Sequence, residues 1–239
     1  MSARRRGGRA AKRAERAARA RRHALPPGGD LSPADELAIT SDKGAGRTLV
    51  IACGALAKEI IHLKAQLGAD RLDLHCLPAE WHNTPRHIPA GVRARIRQAR
   101  AEGYENILVA YGDCGTGGGL DAVLAEEGIE RLPGAHCYAF LSGLEAFEKR
   151  LEADARSYFL TDYLARHFDT LIWKGMMLDR HPELLGDYFG NYEKLVYLAQ
   201  SDDPALLQKA REAAQRLKLA FEHRRVGYGD LETALRQRA

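Results

Sequence analysis

"RTLVIACGALAKEIIHLKAQLG", residues Arg47 to Gly68, decides the fold. Its first half is a short apolar run with β-branched residues, the pattern of a buried strand. Its second half repeats apolar side chains at Leu56, Ile60, Leu63 and Leu67, one stripe of a helix that Gly68 closes. A strand running straight into an amphipathic helix opens a βαβ unit, and the rest of the chain is read outward from it.

Downstream the alternation repeats. "RLDLHCLP" predicts a second strand, a long loop "AEWHNTPRHIP" follows it, and "AGVRARIRQARAEG" carries Val92 and Ile96 on one helical face before Gly103. "NILVAYGDCG" predicts a third strand, Leu120 to Glu127 a short helix, and "IERL" a weak fourth strand. In "HCYAFLSGLEAFEKRLEA" Phe140, Leu144, Phe147 and Leu151 fall at helical spacing, so the stretch is read as one helix. Further on, "SYFLTDYLARHFDTLIW" reads as a strand into a helix, "YEKLVYLAQ" as a strand, "PALLQKAREAAQRLKL" as a helix, "AFEHRRV" as a strand and "DLETALRQ" as a closing helix. Strands alternating with helices imply parallel pairing through right-handed crossovers. The expected class is α/β, a three-layer sandwich with a mostly parallel, Rossmann-like sheet.

Upstream of Arg47 the composition changes. Met1 to Arg22 hold ten Arg or Lys and one Glu, about +9, while the rest of the chain holds 26 basic and 31 acidic residues and is mildly acidic. The basic arm has almost no side chain larger than alanine to bury, so it is expected to be disordered, and a connector rich in Pro, Gly, Ser and Asp follows from Pro26. The expected division is 1–46 as basic extension and linker and 47–239 as a single α/β domain. The arm is the one feature that would bind nucleic acid or an acidic surface, and the plainer reading is a solvated, dispensable extension. No stretch approaches the roughly 20 apolar residues of a membrane span, and no signal-peptide core is present. These features predict a cytoplasmic protein with no membrane partner.

In a parallel sheet, ligands gather beyond the carboxyl ends of the strands, where loops converge and helix N-termini point free N–H groups into a crevice. Cys53 ends the first strand, Cys114 the third, and Cys137 starts a helix after the fourth. Three of the four cysteines are therefore expected on one edge, whereas Cys76, in line with Leu72 and Leu74, reads as a core residue. The loop after the second strand brings His82 and His87, and Asn83, Asp113 and His136 complete the polar set. Three thiolates and an imidazole suit a tetrahedral Zn²⁺ site of the Cys₃His type, with Cys53, His82, Cys114 and Cys137 as ligands and Asp113 orienting a ligand or acting as general base beside Cys114. A cysteine nucleophile at Cys114 or Cys137, activated by a helix N-terminus and a neighbouring His82 or His136, is the alternative without metal. Small cysteines that merely fit tight turns are the plain alternative to both.

The glycines of "GDCGTGGGLDAVL" raise a third possibility, since strand, glycines and helix follow in the order of a phosphate cradle formed by Gly115, Gly117 and Gly118. The stretch has neither a Gly-Lys-Ser/Thr nor GxGxxG spacing, and it follows the third strand. An exposed turn that places Asp113 and Cys114 in the crevice is the better reading. Glu59 reads as a surface residue that, one turn beyond Cys53, could also reach the site, Thr161 and Asp162 as a helix cap, and Tyr111 and Tyr138 as walls or proton donors.

Taken in order, "IACGALAKEI", "HNTP", "YGDCG", "HCYAFLSG" and "SYFLTD" resemble a bacterial and archaeal family known only as a domain of unknown function, over about Thr48 to Leu198. The family pattern includes the positions of Cys53, His82, Cys114 and Cys137, and not Cys76. By gene neighbourhood some members resemble companions of corrinoid-dependent methyl-transfer systems. The resemblance thus implies a corrinoid association and a partner enzyme. The expected function is a metal protein, enzymatic or methyl-transfer-associated, acting on a small-molecule substrate. Its alternative is a non-enzymatic carrier or maturation protein for a metal, a corrinoid or another ligand.

Overall fold

The computed structural model describes residues 31–41 and 44–239. The basic arm and the first part of the connector lie outside the described residues. β2 (Thr48–Cys53) is the centre of the first sheet, parallel to β3 (Leu72–Leu77) on one side and to β4 (Asn106–Ala110) on the other. Every residue of β2 except Cys53 is buried, which explains why the strand reads as a continuous apolar run and not as an alternation.

Helices cover both faces of this sheet. α1 (Ala57–Leu67) lays Ile60 and Leu63 against Val50, Ala52 and Leu74, while α2 (Ile88–Ala101) and α3 (Gly119–Glu127) lay Val92, Ile96 and Leu120 against Leu49, Ile51 and Val109. Each such aliphatic side chain contributes about 1.5–3 kcal/mol by leaving water. The result is the expected α/β sandwich.

The chain runs from β2 outward to β3, then crosses back past β2 to β4, and with the short β1 (Leu37–Ile39) on the outer side of β3 the strand order is β1-β3-β2-β4. The connections after β2 and β4 therefore leave toward opposite faces of the sheet and open a crevice between them, the switch point at which parallel sheets bind ligands. Cys53 closes β2 at that crevice, and Cys114 follows β4 there.

Four features depart from the sequence reading. Ahead of Arg47, β1 (Leu37–Ile39) pairs antiparallel with β3, and Leu31 and Leu37 are buried, so the sheet begins inside the connector. The "IERL" strand shrinks to one bridge between Arg131 and Val109. The helix over 136–153 breaks at Gly143 into α4 (Cys137–Ser142) and α5 (Leu144–Glu148), because Gly143 takes a φ of 80° and ψ of 120° outside the helical region, and Leu151 ends up exposed. The remaining strands do not join the first sheet. β5 (Ser157–Thr161), β6 (Lys194–Ala199) and β7 (Ala220–Arg225) make a second, all-parallel sheet with its own core.

That second core is closed by α6 (Asp162–Arg166) and α8 (Pro204–Leu217), with the short α7 (Leu185–Phe189) placing Phe189 beneath Tyr158 at 5.0 Å between rings. α8 starts at a proline, and the Asp203 carboxylate accepts from the Ala205 amide at 2.8 Å, a capped N-terminus. α9 (Gly229–Arg236) returns to the first sheet, where Leu231 and Leu235 pack with α1 and α4.

Candidate functional site

Cys53, Cys114 and Cys137, spread over 85 positions of sequence, line one cavity together with His82. The cavity is small, about 30 Å³, with apolar walls from Leu56, Ile88, Leu164 and Leu171. On this measure a single water needs about 10–15 Å³, so the cavity has room for an ion or for more than one water. Leu164 and Leu171 belong to the second core, so the cavity sits where the packing of the two sheets meets.

Local backbone chemistry brings the cysteines there. Gly112 lies so close to the His136 backbone that a Cβ would meet its atoms at 2.9 Å, and this close approach allows Asp113 N–H to donate to Gly134 O at 3.1 Å and Cys114 N–H to Ala135 O at 2.7 Å. The two segments run side by side and deliver Cys114 next to Cys137. Cys114 itself takes a φ of +52°, in the left-handed region that costs a residue with a Cβ about 1–2 kcal/mol. Gly115, Gly117 and Gly118 share that region at 80°, 62° and 83°. A cysteine among those glycines stores local strain, and such strained residues cluster at functional sites.

Burial dominates the electrostatics of the thiols. It pushes Cys53 up to about 12, raises Cys114, and raises Cys137 well above the ordinary thiol value, with neighbouring sulfurs adding to the effect at Cys53 and Cys137 and Asp113 adding to it at Cys114. The metal-free thiols are therefore protonated and uncharged. Helix N-terminal activation does not prevail: α4 has six residues, and its field is outweighed by desolvation. Opposing the burial, the Ala55 amide faces the Cys53 sulfur, and the Gly112 and Cys137 amides face the Cys114 sulfur, all favouring the thiolate. Among the described residues, no group of three or more His, Cys, Asp or Glu side chains is gathered in metal-binding geometry.

His82 stands on the 3-10 turn Ala79–Asn83 at the mouth, exposed to solvent on one side, and the partial desolvation of its ring plus the nearby His136 lower its pKa, favouring the neutral form that can ligate. His136 is also lowered by burial, with Asp113 pulling the other way. The turn is anchored at both ends. Trp81, another wall of the cavity, rests on Gly91 of α2, where a Cβ would meet its ring at 2.4 Å, and Asn83 Nδ2 donates to Leu171 O at 2.7 Å in the π-helical turn Asp169–Lys174. Asn83 thus holds the loop in place and faces a carbonyl.

Asp113 is occupied by its own loop. Thr116 Oγ1 and Gly118 N–H donate to Oδ1 at 2.6 and 2.9 Å, and Gly117 N–H donates to Oδ2 at 3.1 Å. These donors hold its pKa below the ordinary carboxylate value even against burial. The amides of Gly117 and Gly118, placed as a phosphate cradle would place them, already hold a carboxylate of the chain itself. Gly115 instead lies against Pro85.

Glu59 and Tyr111 take positions the sequence left open, Cys76 and Thr161 follow the sequence reading, and Asp162 departs from it. Glu59, read as surface, is 6% exposed and close enough to raise Cys53 and Cys137. Its place on α1, one turn past Cys53, was the available signal. Cys76 is fully buried in the core beside Ala52, as expected. Tyr111 is 2% exposed and lines the cavity beside the Cys53 sulfur, and its hydroxyl has no partner in hydrogen-bond geometry. Thr161 caps α6 by accepting from Leu164 N–H at 3.3 Å, whereas Asp162 reaches across to β6.

A family model described as a protein of unknown function (DUF1638) matches residues 76–235. His82, Cys114 and Cys137 fall inside the match, and Cys53 precedes it. No curated protein and no solved structure matches the chain. Among the described residues no helix is long and apolar enough to cross a membrane.

Proposed function

The chain belongs to the DUF1638 family, and from that premise we propose that it is a metal-thiolate protein whose Cys53, Cys114, Cys137 and His82 hold a thiophilic divalent ion, zinc first, at the switch-point crevice. One observation carries the reading: four side chains of the right type, from four separate connections, line one cavity of about 30 Å³. Three sulfurs and a neutral imidazole are a complete tetrahedral zinc set.

The residues present fit such an ion. Amides facing two of the sulfurs supply the N–H···S support that thiolate ligands use, and the strained Cys114 keeps its sulfur on the cavity. Neutral thiols in an apolar pocket have no charge to converge upon, which accounts for the absence of a gathered ligand group. Binding displaces their protons and draws them inward. A bound ion supplies Lewis acidity, activating water or holding a substrate thiolate.

In this reading the small-molecule substrate sits at the mouth of the cavity, beside His82 and His136. Asp113 braces the turn, and His136 is the group free to move a proton there. A cysteine nucleophile acting alone is disfavoured by the upward displacement of all three thiols.

Elemental analysis of freshly purified protein tests the reading. The wild type is expected to carry about one equivalent of zinc, lost in Cys114→Ser. Less than about a tenth of an equivalent of any metal in the wild type, before and after reconstitution with Zn²⁺, overturns it.

A further inference from the structure

Tyr111 follows β4 directly, in the crevice between β2 and β4, and its side chain points among the apolar walls of the cysteine cavity. Its hydroxyl is fully buried and lacks a partner in hydrogen-bond geometry, and a neutral hydroxyl left so costs about 1–3 kcal/mol. Buried polar atoms are satisfied in more than nine cases in ten, so an orphan aimed into a cavity marks a partner that arrives with the ligand.

The Cys53 sulfur is the polar atom beside it. A neutral thiol is a weak acceptor, and a thiolate is a strong one. A tyrosine hydroxyl is protonated at neutral pH and offers that sulfur a donor.

We propose that Tyr111 is a positioning residue of the metal centre: its O–H donates to the Cys53 thiolate once a metal has displaced the Cys53 proton, so that the cavity satisfies this hydroxyl only when loaded. The proposal rests on the metal-thiolate reading. Proton balance is simple: the Cys53 proton leaves to solvent on ligation, and the Tyr111 proton stays on oxygen. The hydrogen bond withdraws electron density from the sulfur, which strengthens metal retention and lowers the reactivity of that sulfur toward alkylating agents. Such outer-shell partners are worth 10- to 100-fold in metal affinity.

The other buried tyrosine of the region supplies a control. Tyr138 follows Cys137 in sequence, but its ring packs on Phe159 at 5.4 Å and on His136 at 5.6 Å, outside the cavity lining.

Titrating the full chain with Co²⁺ separates the two claims, because sulfur-to-cobalt charge-transfer bands report the thiolates directly. Wild type and Tyr138→Phe are expected to give the same bands and affinity. Tyr111→Phe, which keeps the ring and its packing, is expected to bind Co²⁺ at least ten-fold more weakly, with its bands moved to lower energy, and its zinc form to be alkylated faster by iodoacetamide. Unchanged bands and affinity in Tyr111→Phe overturn the role of Tyr111 while leaving the metal centre intact. Absence of charge-transfer bands in the wild type overturns both. A fold check by thermal melting of the apo proteins completes the set, with Tyr111→Phe expected to melt no lower than the wild type, since it removes an unpaired buried hydroxyl.

Discussion

The two parallel sheets are alike at one edge and opposite at the other. At their amino ends each is locked by a buried aspartate: Asp73 accepts from Arg47 at 2.7 and 2.9 Å and from Tyr104 at 2.6 Å, and Asp154 accepts from Arg224 at 2.8 Å and pairs with Lys194 at 3.1 Å. At the carboxyl ends they part. The first sheet ends in a cavity of thiols with an unpartnered tyrosine. The second ends in Asp162, which accepts from the Tyr197 hydroxyl at 2.7 Å, the Gln200 amide at 3.0 Å and the Ser201 hydroxyl. An open depression of about 230 Å³ lies beyond it, but its polar groups are committed: Ser201 to Asp162, Asp202 to Arg225, and Asp203 to the cap of α8. Parallel sheets supply a binding edge by construction, and this chain satisfies one with its own side chains, while the other is the edge at which we propose a ligand.

The sharpest way to break that contrast is Asp162→Ala. Truncation leaves three buried donors without an acceptor, and the expected loss is about 3–5 kcal/mol in urea unfolding. Zinc per folded molecule is expected to stay at its wild-type value, since the second sheet lends the cavity Thr161, Leu164 and Leu171 as walls and none of the four proposed ligands. Should Asp162→Ala fail to fold, Asp162→Asn retains one acceptor oxygen and gives a smaller loss with the same metal content. Metal lost from soluble, folded Asp162→Asn would show that the two edges are one site.

The likeness of the amino edges gives the next largest effect. Asp73 and Asp154 are both held down to about 2 against the pull of burial, Asp73 by its bonds from Arg47 and Tyr104 and Asp154 by those from Arg224 and Lys194. Their folded values lie below the unfolded one, so the stability they supply is complete above about pH 5 and is lost as the pH falls from near 4 toward 2. Each contributes about 1–2 kcal/mol after allowance for nearby water. Acid unfolding followed by circular dichroism is expected to strike both sheets in one transition, and Asp73→Asn is expected to flatten the acid limb. Two separate acid transitions would show that the edges are not locked alike.

Much of this was legible in the chain. The strands of both sheets follow from apolar runs ending at helical stripes, and the convergence of Cys53, Cys114 and Cys137 follows from their placement at strand ends, because a parallel sheet sends all those ends the same way. Strand order was not legible: the apolar period of Lys194–Ala199 is the same whether it pairs with β4 or with β5, so the division into two sheets stayed hidden. β1 was missed because three residues in a polar connector carry too little pattern. Burial depth was also out of reach. A cysteine at a helix start reads as activated until the apolar side chains from another part of the chain are known to surround it. Glu59 likewise reads as solvated until α9 and α4 are packed over α1.

The smallest expected effect bears on the one polar residue that the sequence put at the centre of the chemistry. Asp113→Asn keeps an acceptor oxygen for Thr116 and Gly118, which share Oδ1, but leaves the Gly117 amide facing an NH₂ group, and it discards the charge the donors favour. The expected cost is about 1 kcal/mol, because Gly117 and Gly118 are exposed and water can take over the lost bonds. The loop holds Cys114 in its strained conformation mainly through the backbone pairing of 113–114 with 134–135, which the substitution leaves in place. Zinc content and the cobalt charge-transfer bands of Asp113→Asn are therefore expected to match the wild type within about two-fold in affinity. A loss of metal as complete as that of Cys114→Ser would make the carboxylate part of the centre. The glycine loop would then be its ligand arm, where the geometry makes it an internally satisfied turn that carries one sulfur to the crevice.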